Sequence, residues 1–223
     1  YGEFITGSTT TRQTSNSGAT TLFDSTFYVL TTARNVYKCL DNNGGATSTD
    51  EPTGVSTSVT TTADGYRWKF MYTLSAAQQA SFLSVDFMAV SPNSSPGSDQ
   101  SNVISAAVDG SIDVIKIKSA GSGGTNGTHT NIPIRGDGTG GVCSVTVSGG
   151  AVTAVSVTNA GSGYTFATVS NAQIVAAGAT SLSGAELDVI IPPQGGHGKN
   201  AIEELGGFYV LLNTSLEGTE SAN

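Results

Sequence analysis

Residues 66–74, YRWKFMYTL, place Tyr66, Trp68, Phe70, Tyr72 and Leu74 at every second position, with Arg67, Lys69 and Thr73 between them. A period of two belongs to a strand with one face in a core; a helix would need apolar residues at i, i+3 and i+4. Asp64-Gly65 just ahead is turn chemistry, and Ser75 just after is placed to cap a helical turn over residues 76–82. β-Branched runs at 26–30 and 36–40 supply neighbouring strands, and helical periodicity is nearly absent elsewhere. An all-β chain with one or two short helices is therefore expected. The stripe holds the only tryptophan of the chain, and its regular alternation reads as sheet core rather than as a platform for stacking sugars.

A polar stretch rich in Pro and Ser, 91–101, separates this segment from one of small β-branched residues punctuated by glycine. Residues 103–108, the Asp109-Gly110 turn and residues 111–118 read as a hairpin with a two-residue turn; 143–148, Gly149-Gly150 and 151–158 read as another. The second arms match each other: VIKIKSAGSG at 114–123 aligns with AVSVTNAGSG at 154–163, an offset of 40 residues. Two copies are fewer than a solenoid needs, so one repeated β-module is expected. From Glu186 the composition returns to ordinary strand, with 187–191 and 208–212 as a closing pair. These features predict a discontinuous architecture. A β-sandwich-like domain built from residues 1–101 and 186–223 would carry 102–185 as an inserted, repeat-containing β domain. The chain opens at Tyr1 inside what reads as a strand, which predicts a piece of a longer polypeptide.

Charge narrows the function classes. Only 12% of residues are charged and the net charge is −8, with a pI of about 4.5, so a phosphate backbone would be repelled and no nucleic-acid partner is expected. No apolar run approaches the roughly 20 residues of a membrane span, so a soluble chain without a membrane partner is expected. Cys39 and Cys143 lie in separate strand-like runs and read as free, buried thiols, because a single pair makes no disulfide scaffold. Asn93, Asn126 and Asn213 head N-x-[ST] sequons of the kind that a chain rich in Ser and Thr produces by chance.

Candidates for chemistry are few. The loop PPQGGHGKNAIEELGG, 192–207, has the glycines and lysine of a phosphate cradle. A P-loop requires G-x-x-x-x-G-K-[ST], and here Pro193 stands where the first glycine belongs and Asn200 where the hydroxyl belongs. The stretch reads instead as a surface loop feeding a short helix over 200–205 with Asn200 as N-cap, Lys199, Glu203 and Glu204 on its outside. His129 and His197 sit in Gly-rich loops with no ligand-spaced Cys or His, so zinc is not expected and both read as solvated. No G-x-S-x-G elbow marks an activated serine. Glu203-Glu204 and Asp50-Glu51 could supply paired carboxylates for glycoside hydrolysis, yet adjacent residues point apart. The RGDGTGG run at 135–141 has too few acidic ligands for calcium and reads as a tight turn. No catalytic, cofactor-binding or metal-binding residue is assigned.

Three segments in order carry a resemblance: VYKCLD at 36–41, EPTG at 51–54 and DGYRWKFMY at 64–72. They are similar to the V-Y-[KR]-C-[LI]-D, E-P-x-G and D-G-Y-x-W-x-[YF]-[ML] pattern of the baseplate wedge subunit of contractile-tailed bacteriophages, of the myovirus type. The NAGSGY run at 159–164 and the GGHG and EELGG runs at 195–198 and 203–207 resemble longer, cyanophage-like versions of that subunit. The resemblance implies a non-enzymatic virion component of the tail baseplate, assembled in the host cytoplasm, with β-sandwich-like domains. It also implies a chain that pairs with itself within each wedge and docks onto other wedge proteins. An alternative expectation is a carbohydrate- or receptor-binding tail module using Tyr164, Phe166 and the glycine loops, and a weaker one is a polysaccharide depolymerase.

Overall fold

The computed structural model describes residues 27–84 and 87–215. The strand expected at Tyr1 and the start of the 26–30 run lie outside them. The chain is all-β, with four short helices among the described residues.

The first sheet has the order β1-β2-β4-β3, all antiparallel, from β1 (Tyr28–Leu30), β2 (Asn35–Asp41), β3 (Thr60–Thr61) and β4 (Arg67–Thr73). Its centre is the aromatic stripe, and the structure divides that stripe. Val36 pairs with Tyr72 but Tyr37 pairs with Phe70, so Met71 is an extra residue, a β-bulge that shifts the alternation by one. Tyr66, Trp68 and Phe70 therefore pack with Tyr37, Cys39 and Val103, whereas Met71, Tyr72 and Leu74 pack with Val36, Met88, Ala201 and Leu205. The expectation that five alternating residues share one face is corrected by this bulge, and both faces of β4 are covered. Lys69, placed between the stripe residues, is 4% exposed and donates from Nζ to the Thr57 carbonyl at 2.6 Å. Tyr66 stacks on Trp68 at 5.5 Å, and Tyr37 meets Phe70 edge-on at 5.6 Å, geometries that aromatic quadrupoles favour.

Helix α1 (Ala76–Phe82) forms as its sequence predicts: Ser75 accepts from the Gln78 amide and Gln78 returns a bond to the Ser75 amide, a full capping box. Helix α2 (Ser98–Ala106) replaces the first arm of the expected hairpin at 103–108. A short apolar run is ambiguous between strand and helix, and here Val103, fully buried against the sheet, decides for helix.

The second core is built from β5 (Ile115–Ser122), β6 (Gly127–Pro133), β7 (Arg135–Gly136), β8 (Val142–Ser148), β9 (Ala151–Asn159), β10 (Ala167–Thr168) and β11 (Ser183–Val189), with α3 (Asn171–Ala176). Strands β6, β8 and β9 make one sheet, β5 pairs with β11, and β7 with β10. The β8–β9 hairpin is the one expected, its Gly149 and Gly150 both at positive φ (62° and 81°). Leu187, Val189 and Ile191 pack into this core, and β11 pairs with β5 rather than with 208–212, which forms no strand. The closing pair expected between those segments is thus replaced by a β5–β11 pair within the second core.

The internal repeat is visible in the backbone. Strands β5 and β9 lie in its two copies, and the glycines at or just past their ends adopt matched angles: Gly121 and Gly161 at φ 65° and 64°, Gly123 and Gly163 at 78° and 72°. The copies differ at the next position. Tyr164 drives its ring into the core, its hydroxyl accepting from the Gly141 amide and donating to the Ile134 carbonyl, both at 3.1 Å. Its counterpart is Gly124, where Leu182 and Val147 occupy the space instead. Tyr164→Phe keeps the ring and strips the hydroxyl from both partners. The expected loss is about 1–3 kcal/mol, the usual cost of orphaning buried backbone groups, read as a lowered urea midpoint.

Candidate functional site

The loop singled out in the sequence leaves β11, makes two turns (Gly196 N to Pro193 O at 2.9 Å, Lys199 N to Gly196 O at 3.1 Å) and enters α4 (Ala201–Leu205). Asn200 caps that helix by accepting from the Ile202 amide, as predicted, and Gly206 closes it in the left-handed region. Lys199 and Glu203 are exposed, as expected of a loop surface. Glu204 is not: its side chain is 1% exposed and turns inward. Its Oε1 accepts from the Gly198 amide, and its Oε2 sits 3.0 Å from His197 Nδ1 and 3.6 Å from Lys38 Nζ. Two expectations are corrected together, because His197 is 5% exposed rather than solvated and Glu204 leaves the surface.

The loop does cradle an anion, and that anion is its own carboxylate. The Gly198 N–H, the His197 imidazole and the Lys38 ammonium that a phosphate would recruit are already spent on Glu204. Burial alone would raise the Glu204 carboxyl. The hydrogen bond from His197, the charge of Lys38 and the Gly198 amide outweigh it and hold the group below its ordinary value. Lys199 has no part in this cluster. Lys199→Ala is expected to shift stability by less than about 0.5 kcal/mol, the range of ordinary surface substitutions, and ATP or GTP binding abolished by that change would contradict the reading.

The cluster borders a junction between the two cores. Asp41, at the end of β2, lies 3.9 Å from Arg67 Nε and 4.0 Å from Lys116 Nζ, and Arg67 donates from Nη2 to the Val155 carbonyl at 2.9 Å. Beside it, Asp109 Oδ1 accepts from the Gly195 amide at 2.6 Å and its carbonyl from Gly163 at 2.8 Å. Lys38, Lys116 and His197 line a cleft of about 180 Å3 there.

The remaining candidates resolve into structural roles. Glu51 accepts from the Thr32 amide and hydroxyl at 2.6 and 2.9 Å, so it does not pair with Asp50. Asp64 gathers five donors, from Ser48, Thr49, Asp50, Thr62 and Tyr66. Those bonds, led by that of the Thr62 hydroxyl, hold its carboxyl far below the usual range. Tyr37 donates to the Gly54 carbonyl. Tyr37, Glu51 and Asp64 thus tie the 42–66 stretch to itself and to the sheet. Asp137 of the RGD run accepts from the Thr165 hydroxyl and amide and from the Phe166 amide, which lowers its carboxyl to about 2 and leaves the run a pinned turn. His129 lies in strand β6 rather than in a loop and is half-buried, with Nε2 at 3.0 Å from the Thr125 carbonyl, which corrects its reading as a solvated loop residue. Cys39 and Cys143 are free and buried, their thiols pushed up by burial to about 12 and about 11. Among the described residues, no three His, Cys, Asp or Glu side chains gather where they could hold a metal ion, and no helix is long and apolar enough to cross a membrane. Tyr164 is 3% exposed, which removes it from the sugar-contact surface expected of it, while Phe166 stays 61% exposed.

The feature that sequence reading missed is apolar surface. Residues 208–212, FYVLL, are in neither helix nor strand; Phe208 is 73% exposed, Tyr209 87%, Val210 86% and Leu212 91%. The same run of β-formers made the segment look like a strand. The segment is tethered beyond its end, where Asn213 Nδ2 donates to the Ser81 carbonyl at 2.7 Å. Comparison with protein families, with characterised proteins and with solved structures finds no match.

Proposed function

We propose that the chain is a structural, non-enzymatic subunit of a contractile-phage tail baseplate wedge, which pairs with itself and docks onto other wedge proteins in the virion. The observation that carries this reading is the FYVLL segment at 208–212. Five consecutive large apolar residues held in water are costly in an isolated domain, at about 25 cal/mol per Å2 of apolar surface, and such patches mark protein interfaces. A run of β-forming residues that no strand among the described residues takes up is suited to adding a strand to a neighbour's sheet. One carboxylate of each pair that could have served hydrolysis, Glu51 and Glu204, is engaged within the chain instead. Repacking of such interfaces on host attachment would be the mechanism, one lattice of subunit contacts exchanging for another.

The test is co-purification of the full-length protein with candidate baseplate proteins, with the mass of any complex determined. A multi-protein particle holding this chain in two copies is expected, and Phe208→Ser/Val210→Ser/Leu212→Ser should release the partners while leaving the circular dichroism spectrum unchanged. A lone monomer that ignores those partners would overturn the reading.

A further inference from the structure

Five pairs of Asn or Asp followed by Gly occur in the chain: Asn43-Gly44, Asp64-Gly65, Asp109-Gly110, Asn126-Gly127 and Asp137-Gly138. Each has the makings of a self-reaction, because the amide nitrogen of a residue without Cβ can swing against the carbonyl carbon of the side chain before it. The fold ties back four of the five through their side-chain oxygens. Asp64 is held by its five donors, Asp109 Oδ1 by the Gly195 amide at 2.6 Å, and Asp137 by Thr165 and Phe166. Asn126 Oδ1 accepts from the Gly150 amide at 2.9 Å, and Gly127 after it is paired with Val147 in the ladder of β6 and β8. Asn43-Gly44 is different. Both residues are exposed, and a Cβ on Gly44 would meet nothing within 4 Å, so the backbone there is free to turn. The side-chain bond of Asn43 among the described residues runs from Nδ2, the nitrogen that would leave, to the Asp64 carbonyl at 3.0 Å, and it is exposed to water.

We propose that Asn43 is a modification site, deamidated without an enzyme to aspartate and isoaspartate, and that the fold selects it over Asn126. The Gly44 nitrogen gives up its proton and attacks Asn43 Cγ; an N–C bond forms, the Cγ–Nδ2 bond breaks, and ammonia leaves with the proton. Water then opens the cyclic imide at either carbonyl, which returns the ordinary chain as aspartate or routes it through the side chain as isoaspartate. The product has a local consequence. It puts a carboxylate where an amide donated to the Asp64 carbonyl, beside the Asp41 carboxylate that accepts from the Asn43 amide at 3.1 Å. A donor is lost and like charges meet, which loosens the start of the 42–66 stretch. The proposal does not depend on the assembly reading.

The experiment is incubation of the full folded chain in mildly alkaline water labelled with heavy oxygen, with peptide mapping by mass spectrometry over time. Conversion at Asn43 is expected to outrun that at Asn126 by roughly tenfold, the weight of about one further hydrogen bond to be broken first. Because the attacking nitrogen must lose a proton, the Asn43 rate should climb as the buffer is made more alkaline. The converted peptide should also accept a methyl group from a protein isoaspartate methyltransferase, which an ordinary aspartate does not. A second arm repeats the incubation in urea, where both asparagines, each followed by glycine, should convert at similar rates. Asn43→Gln, which would have to close a larger ring, should lose the conversion at 43 and leave that at Asn126 unchanged. Equal rates in the folded chain, a faster Asn126, a preference for Asn43 that persists in urea, or no conversion at Asn43 would each overturn the proposal.

Discussion

Glu204→Ala is expected to lower the unfolding free energy by about 3–5 kcal/mol, the usual cost of removing one partner from a buried ion pair. The carboxylate holds three groups at once: the Gly198 amide, His197 Nδ1 and Lys38 Nζ. Its loss leaves an orphaned N–H and a lysine with 16% of its side chain in water. Urea unfolding at neutral pH measures the effect, and a loss under about 1 kcal/mol, the average for any substitution, would mean that Lys38 simply swings out to solvent. The pH dependence carries a second signature. The folded carboxyl titrates below its ordinary 4.5, so its contribution is complete above that value and is lost as pH falls through the lower, folded one. The wild-type chain should therefore lose stability below about pH 4.5 in part through this group, and the alanine variant should show a flatter curve over the same acid range.

The second large effect is expected at the turn joining the two cores. A Cβ on Gly110 would lie 2.1 Å from the Tyr164 amide nitrogen and 2.6 Å from the Gly163 carbonyl carbon. Neither is the end of a flexible side chain, so Gly110→Ala must push two backbone segments apart. A loss above about 4 kcal/mol is expected, in the exceptional range for one substitution. Gly149 is the internal control, because its φ is also 62° and a Cβ there meets nothing within 4 Å. Gly149→Ala should cost only the left-handed strain of about 1–2 kcal/mol. Comparing soluble yield and thermal midpoint of the two variants separates packing from backbone strain. Equal losses would mean that the junction yields rather than resists.

These two sites also mark where sequence reading succeeds and stops. The capping box of α1 and the Gly149-Gly150 hairpin were legible because the residues that decide them lie within a few positions of one another. The repeat was legible as well, and matched glycine angles follow it. Helix α2 was not, since Val103 is helical through what it packs against rather than through any periodicity of its own. The direction of Glu204 was hidden for the same reason: Lys38 comes from β2, far away along the chain. An exposed FYVLL and a buried strand share one composition, so only burial distinguishes them.

The bulge at Met71 has a consequence for how the first sheet tolerates change. Because β4 buries Trp68 and Phe70 in one cluster and Met71 and Tyr72 in another, the strand is a partition with a separate room on each side. The buried apolar side chains of the two rooms form separate clusters, so each can be refitted alone as long as the wall keeps its bulge.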